Sequence, residues 1–519
     1  MKPQLRILLV CLTAACTLHA RRDATLGDDS FGQTFFTIRP EFQTPFPEKT
    51  SLVRDRTLAR CEGIEGAFQV VPLGGRSAKA GDLMKYFSPY PKTELIVDSL
   101  PPGTDQTDID RDINPVHFGI RYTANGQVTG TPARYRTTLK IRPQRSVGGI
   151  GFTYKQYIGR KCNPCKKWFI EVSGPVLFVR NKVNITETNT QVTGFPVPGS
   201  ATDMTQAFMG NLPVFTIPAN TNTPMLYGKI NDNSSDGMKD VGFDVEIKFG
   251  VDTIMSECFH FDGYFGLHVP GSTRPKGEYL FEAIAGFNQH FGFMIGGATA
   301  VQVWQDCDRS LTWEIESVSQ YFVHNVQVRS FDLINRAWSR YMLVRDASGV
   351  IVPGINVFTR QMKVNPRFSF DVNTGIVYNI EGKFQGEFGY NLYARQGERV
   401  RLVDRFPSGL ATVGFNDVTL LPDPTTITRK SDIGDNGENL PAPGQPGALP
   451  NETIFEHNLN LLSASHPAAL SNLVYFSLGY QWDNLNFPVC AGLGASYEIS
   501  GKNTALTRWL VWGKFCVSV

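Results

Sequence analysis

Ile376-Val377-Tyr378-Asn379-Ile380-Glu381-Gly382-Lys383-Phe384-Gln385-Gly386-Glu387-Phe388-Gly389-Tyr390-Asn391-Leu392-Tyr393 is the stretch that decides the fold. Its even positions are Ile, Tyr, Ile, Gly, Phe, Gly, Phe, Tyr and Leu, with no charge among them. Its odd positions hold Glu381, Lys383 and Glu387 among Asn, Gln, Gly, Val and Tyr. A period of two belongs to an extended chain with one apolar and one polar face. Strands in soluble proteins average about 5–6 residues. This pattern would reach ~60 Å as one strand, or it makes two shorter strands that keep one parity. A long, aromatic-rich, two-faced strand is what a bilayer requires of a β-barrel wall.

The same alternation recurs. Val241, Phe243, Val245, Ile247 and Phe249 alternate with Gly242, Asp244, Glu246, Lys248 and Gly250. Phe259, Phe261, Phe265, Leu267 and Val269 alternate with His260, Asp262, Tyr264, Gly266 and His268. Val474, Phe476, Leu478, Tyr480 and Trp482 make one face, and Leu493, Ala495, Tyr497 and Ile499 another. Tyr135, Leu139 and Ile141 alternate with Arg136, Lys140 and Arg142. With weaker segments near 167–180, 338–346, 366–373 and 453–463, the reading is all-β: a transmembrane antiparallel barrel of about 12–16 strands with long polar loops. The barrel is assigned to residues 131–519, with long loops near 184–236 and 422–450. Residues 21–130 are an N-terminal extension, a plug or the first strands.

Composition agrees. Hydrophobic residues are 41% and charged residues 19%, against a usual charged share of about 25%. Past the N-terminus no apolar run reaches the ~18 residues that a membrane helix needs. Residues 1–20 read as a secretory signal, with Lys2 and Arg6 before the apolar Ile7–Ala15 and a Leu18-His19-Ala20 cleavage site. A lipoprotein signal with lipidated Cys16 is the rival. Cleavage after Ala20 removes two bases and no acid, so the 50 basic residues fall to 48 against 48 acidic ones. That balance gives no sign of a nucleic-acid partner.

Of nine cysteines, seven follow Ala20. Cys162-Asn163-Pro164-Cys165 has redox spacing without the βαβ context that redox chemistry uses, and no second pair for zinc. A loop disulfide, or two thiols in a tight turn, is the simpler reading. Asp105, Asp108, Asp110 and Asp112 read as a solvated acidic loop rather than a calcium site. The histidines are scattered, and no hydrolase, P-loop or dinucleotide motif appears. The expectation is therefore no catalytic residue, no metal, no cofactor and no enzyme.

Charges on polar parities carry the functional expectation: Arg136, Lys140 and Arg142; Asp244, Glu246 and Lys248; Glu314 and Glu316; Glu381, Lys383 and Glu387. Facing lipid, a charge near the bilayer midplane costs ~2–4 kcal/mol, so these residues are expected to face the lumen. There they either set ion preference in a wet pore or brace a closed one.

The signal, the repeated amphipathic strands, the aromatic strand ends and the long loops resemble bacterial outer-membrane β-barrel proteins of the porin type. That resemblance implies export to the outer membrane, contact with its lipid, passive diffusion of small hydrophilic solutes or ions, and homo-oligomers such as trimers. Two other readings keep the barrel. One is a transporter for apolar ligands with residues 21–130 as a hatch, and the other is a structural surface protein or adhesin. A soluble secreted β-sandwich or lectin is the remaining reading.

Overall fold

The computed structural model describes residues 34–36, 39–51, 66–79, 84–88, 92–99, 112–123, 134–158, 166–212, 223–231, 237–256, 258–334, 336–348, 350–412, 453–482, 487–502 and 506–518. Twelve strands close into one antiparallel barrel. They are β1 Gly66–Ser77, β2 Gln144–Ile158, β3 Lys166–Lys182 and β4 Met238–Ser256. Next come β5 Phe259–Pro270, β6 Gly292–Asp306, β7 Arg309–Phe322 and β8 Arg367–Ile380. Last are β9 Phe384–Arg395, β10 Ala469–Trp482, β11 Val489–Lys502 and β12 Arg508–Ser518. Each strand pairs with its neighbours in sequence, and β1 meets β12 from Ala67↔Ser518 to Ser77↔Arg508. Closure leaves no unpaired edge.

The Ile376–Tyr393 run is a hairpin. Antiparallel partners here have residue numbers of constant sum, and Ile380 pairs with Phe384. Even positions therefore face even positions, and a three-residue turn reverses the chain without disturbing the alternation. Glu381 and Gly382 make that turn with φ of 53° and 65°, a region glycine enters without steric cost.

The apolar parity points outward all around the wall. Phe152, Phe178, Phe243, Phe265, Ile295, Ile376, Phe388, Phe476, Leu493 and Phe515 are all exposed. A soluble protein does not leave apolar surface of that extent in water, so the wall is covered by lipid and the barrel spans a membrane. Trp168, Phe384, Tyr480 and Trp482 ring one end of this band, where amphipathic rings favour the bilayer interface. Among the described residues no helix is long and apolar enough to cross a membrane.

The two ends differ. Residues 307–308 and 381–383 are short turns at one end, which also holds the ends of β1 and β12 at Gly66 and Ser518. At the other end the connections 78–143, 183–237, 271–291, 323–366 and 396–468 are long. They build a cap of small sheets: Leu95–Asp98 with Tyr135–Ile141 and Ile185–Val192, and Asn325–Ser330 with Thr359–Asn365 and Arg399–Leu402. Phe87, Phe118, Phe208, Phe281, Trp338 and Tyr341 pack one aromatic core there, and the Trp338 indole donates to the Phe87 carbonyl at 2.6 Å.

The first wall strand begins at Gly66, inside residues 21–130, for which first strands are one of the three options, so the wall is not confined to 131–519. These connections correct two expectations. Tyr135–Ile141 belongs to the cap, and so do the segments 338–346 and 453–463. Residues 184–236 are not loop throughout, since they include the strand Ile185–Val192 and the helix Met204–Met209. Residues 1–20, Cys162, Cys165, Asp105, Asp108, Asp110 and the segment 422–450 lie outside the described residues. Cys490 and Cys516 form a disulfide between β11 and β12, and Cys258 and Cys307 are exposed free thiols.

Within the cap Arg340 is fully buried and Asp332 nearly so. Three hydrogen bonds join them, backbone N–H to Oδ1 at 3.0 Å, Nε to Oδ1 at 2.9 Å and Nη2 to Oδ2 at 2.6 Å. Removing one partner strands the other charge in a low-dielectric interior. Asp332→Ala is expected to destabilise the cap by ~3–5 kcal/mol, read as earlier protease cleavage of the connections while the barrel resists.

Candidate functional site

The lumen is occupied by the chain's own N-terminal segment. Arg39, Glu41, Phe42, Thr44, Phe46, Glu48, Lys49 and Ser51 are all buried. Their wall partners follow a path from the cap to the short-turn end. At the cap, the Thr34 carbonyl accepts from the Phe281 N–H at 2.8 Å and Phe36 stacks on Phe281. Arg39 then pairs with Asp371 of β8 at 3.1 Å and also donates to Asn391 of β9. Glu41 accepts from Arg508 of β12 at 2.5 Å and lies 3.7 Å from Arg145 of β2. Thr44 and Lys49 reach Glu246 of β4 at 2.8 and 2.5 Å, and Lys49 lies 3.6 Å from Glu171 of β3. Lys514 of β12 donates to the Ser51 carbonyl near the short turns.

Local geometry makes this segment a knot rather than a strand. Pro40, Pro45 and Pro47 prevent a continuous ladder. The Glu48 carboxylate turns back to accept from the Phe42 N–H at 3.0 Å, and Pro47–Thr50 forms one helical turn. The Phe42 ring lies against the backbone of Gly151 in β2. A Cβ at Gly151 would come within 2.1 Å of that ring, so glycine is what admits the knot there.

Small cavities remain beside this segment, one toward the cap and one toward the short turns. The cap-side one, about 50 Å³, is lined in part by Phe36, Arg145, Phe287, Arg329, Arg395 and His466. The turn-side one, about 80 Å³, is lined in part by Lys49, Gln69, Lys155, Glu171, Lys248 and Glu316. Each has room for only a few waters.

At the cap mouth, Glu398 lies 3.3 Å from Arg395 and 3.6 Å from Arg329, and it accepts from the His466 N–H at 2.9 Å. Burial opposes ionisation of Glu398, but His466 and the two guanidinium groups overcome it and hold the carboxyl at about 2. His290, fully buried beside Gln327, is pushed down to about 4 by burial. An unfolded histidine takes a proton below ~6.5 that folded His290 refuses until about 4. Stability from this site is thus complete above pH 6.5 and is lost as pH falls toward 4. Lowering the pH from 7 to 5 should cost about 2 kcal/mol. His290→Gln should remove that part of the pH dependence in thermal unfolding.

The residues expected to line a pore divide into two groups. Asp244, Glu246, Lys248, Glu314, Glu316 and Glu387 lie on inward positions of β4, β7 and β9 and are buried. Asp244 serves the cap, accepting from the N–H groups of Gly271, Ser272 and Phe287 at 2.7–3.1 Å. Glu246 and Lys248 both touch the plug through Thr44. Glu387 accepts from Tyr475 at 2.6 Å.

The others are not in the wall. Arg136 and Lys140 lie in the cap sheet, Arg136 3.6 Å from Asp98 and Lys140 2.6 Å from Glu94, and Arg142 is exposed just after that strand. Glu381 and Lys383 occupy the β8–β9 turn and face each other at 3.8 Å. Alternation marks any half-buried strand, and turn residues inherit the parity of the strands they join. The plug residues Arg39, Glu41 and Lys49 escaped because 39–51 has no periodicity. Their one sequence signal is a mixture of charge, aromatic rings and proline ahead of the first strand.

No protein-family model matches this chain, and no curated protein does. Similar folds occur among solved structures at low identity. An outer membrane channel from Pseudomonas putida F1 has a TM-score of 0.36 at 6% identity, over 88% of this chain and 96% of that one. The transport unit of the autotransporter AIDA-I from Escherichia coli gives 0.33 at 6%, over 88% and 90%. A FadL homologue from Pseudomonas aeruginosa gives 0.28 at 8%, over 95% and 97%. At these values the likeness is distant. The hydrogen-bonded closure and the lipid-facing wall themselves establish a transmembrane β-barrel of the outer-membrane type.

Proposed function

We propose that this protein is a gated outer-membrane channel for small polar solutes in which residues 34–51 are a displaceable plug. The observation that carries the reading is the set of ties Arg39–Asp371, Glu41–Arg508 and Lys49–Glu246, which fix one segment to three parts of the wall. The wall charges Asp371, Arg508 and Glu246 are engaged by this segment, which favours a gated lumen over a passive pore lined by free charges. Ion pairs suit a plug that must move. Water entering the lumen solvates the separated charges, whereas an apolar contact has no such substitute. The short turns lie on the periplasmic side and the cap outside, the usual polarity of such barrels.

Gly151→Leu provides the test. Its side chain takes the space of the Phe42 ring and expels the knot. Proteoliposomes carrying this variant should swell in a small neutral sugar at least about tenfold faster than wild type, a difference of roughly 1.4 kcal/mol in the closed state. Gel mobility before and after heating shows whether the variant barrel is folded. A folded variant that swells at the wild-type rate would remove the plug from the gate.

A further inference from the structure

One quadrant of the lumen wall has the chemistry of a receptor for a planar cation, and the plug supplies the cation that fills it. Arg39 Nη2 lies 3.1 Å from Asp371 Oδ2, and it also donates to Asn391 Oδ1. Asn391 Nδ2 donates in turn to Asp371 Oδ1 at 2.9 Å, which fixes both acceptors. The guanidinium lies 5.2 Å from the centre of the Tyr393 ring of β9 and 3.5 Å from that of Phe46, which belongs to the plug and leaves with it. Asp371, Asn391 and Tyr393 are each at least nine-tenths buried. Arg39 uses its site incompletely, since Nε and Nη1 have no hydrogen-bond partner among the described residues.

The acceptor surface continues below Arg39. Inward positions of β8 are Ser369, Asp371, Asn373, Gly375, Val377 and Asn379, with no base among them. Asn373 Oδ1 and, opposite Glu387, Ser477 Oγ are buried oxygens without a hydrogen-bond partner among the described residues. Gly375 and Gly389 face each other in register, and the Tyr475 side chain lies over both. Buried acceptors without donors are costly unless a ligand satisfies them. Carboxylate, amide oxygen and ring face together select a flat, charged, multiply donating group over a compact ammonium.

We infer that the β8–β9 quadrant binds guanidinium-bearing solutes, and that Arg39 is a built-in substitute holding the subsite at Asp371 and Asn391 while the channel is closed. The transport aspect rests on the gated-channel reading above; the binding aspect does not. When the plug leaves, a guanidinium solute takes the place of Arg39 and meets the acceptors at Asn373 and Ser477 as it descends.

The experiment is chemical rescue of the full chain in detergent micelles. Arg39→Ala opens a guanidinium-sized space beside Asp371. Ethylguanidinium should raise the unfolding temperature of Arg39→Ala saturably, leave wild type unmoved at the same concentrations, and bind better than ethylammonium. In Arg39→Ala/Asp371→Asn its apparent affinity should fall about tenfold or more, the loss of one charge-assisted hydrogen bond. No saturable rise in Arg39→Ala, or an equal rise in the double variant, overturns the inference. If Arg39→Ala does not fold, Arg39→Lys carries the same comparison, with ethylguanidinium competing against the shorter-reaching ammonium. A second arm uses full-length Gly151→Leu, its barrel shown to be folded by gel mobility before and after heating, in a planar bilayer. Ethylguanidinium should reduce potassium current saturably, and Asp371→Asn should abolish that block. Open current without block refutes a role in permeation. Absence of any current refutes the gated-channel reading and leaves the rescue to decide the site.

Discussion

A barrel expressed without residues 34–51 should conduct steadily in a planar bilayer, where the intact chain should stay near the baseline. The expected ratio of mean currents is at least about a hundred, which corresponds to ~2.7 kcal/mol or more holding the plug closed. The ties make that magnitude reasonable. Three ion pairs with side chains almost wholly shielded from water hold the segment, and each charge-assisted contact contributes ~1.5–3 kcal/mol before the cost of ordering the segment. Without the segment, Glu246, Asp371 and Arg508 face water on a wall still closed by twelve hydrogen-bonded strands. The barrel therefore survives the deletion while the lumen fills.

Arg508→Met should destabilise the barrel wall itself. Arg508 lies between two carboxylates, 2.5 Å from Glu41 of the plug and 2.5 Å from Glu498 of β11. The substitution leaves both acids buried without their common cation. Losing one partner of such a group costs ~3–5 kcal/mol. Urea unfolding of the protein in liposomes should show that loss as a lower midpoint. Glu41→Gln makes the contrast: Arg508 keeps Glu498, the cost falls to ~1 kcal/mol, and the principal change is a leakier lumen. Equal destabilisation by the two variants would mean that Arg508 acts through Glu41 alone and does not brace the wall, whereas an unchanged lumen in Glu41→Gln would mean that it braces the wall only.

The Ile376–Tyr393 run shows how much of this was legible in the sequence. Its parity correctly separated the lipid face, with Ile376 and Phe388 outside, from the lumen face, with Glu387 inside. It did not distinguish one strand from a hairpin, because a three-residue turn conserves parity. The same rule misplaced Arg136 and Lys140. Tyr135, Leu139 and Ile141 alternate as a wall strand does, yet their apolar face is covered by the cap core rather than by lipid. Alternation reports that one face is apolar and leaves open what covers it. Legible, too, was the scarcity of charge on apolar parities, which lipid enforces on every wall strand.

The plug was legible only as one option for residues 21–130. Arg39, Glu41 and Lys49 have meaning only beside Asp371, Arg508 and Glu246, at separations of roughly two hundred to nearly five hundred residues. No local pattern encodes such contacts. From the sequence, a lumen lined by charge therefore reads as either a wet pore or a braced, closed one. The complementary charges that close it are carried by a segment with neither helical nor strand periodicity.

Hydrogen–deuterium exchange of the intact protein in lipid tests the plug most directly, read on the peptide spanning residues 39–51. The Thr44 N–H points to Glu246, the Phe42 N–H to Glu48, and the N–H groups of Lys49, Thr50 and Ser51 close a helical turn, all inside the lumen. These amides should exchange nearly as slowly as those of β8 and β9, and should speed up in Gly151→Leu while the wall strands do not. Exchange of 39–51 within seconds in the wild-type protein would contradict a plugged lumen.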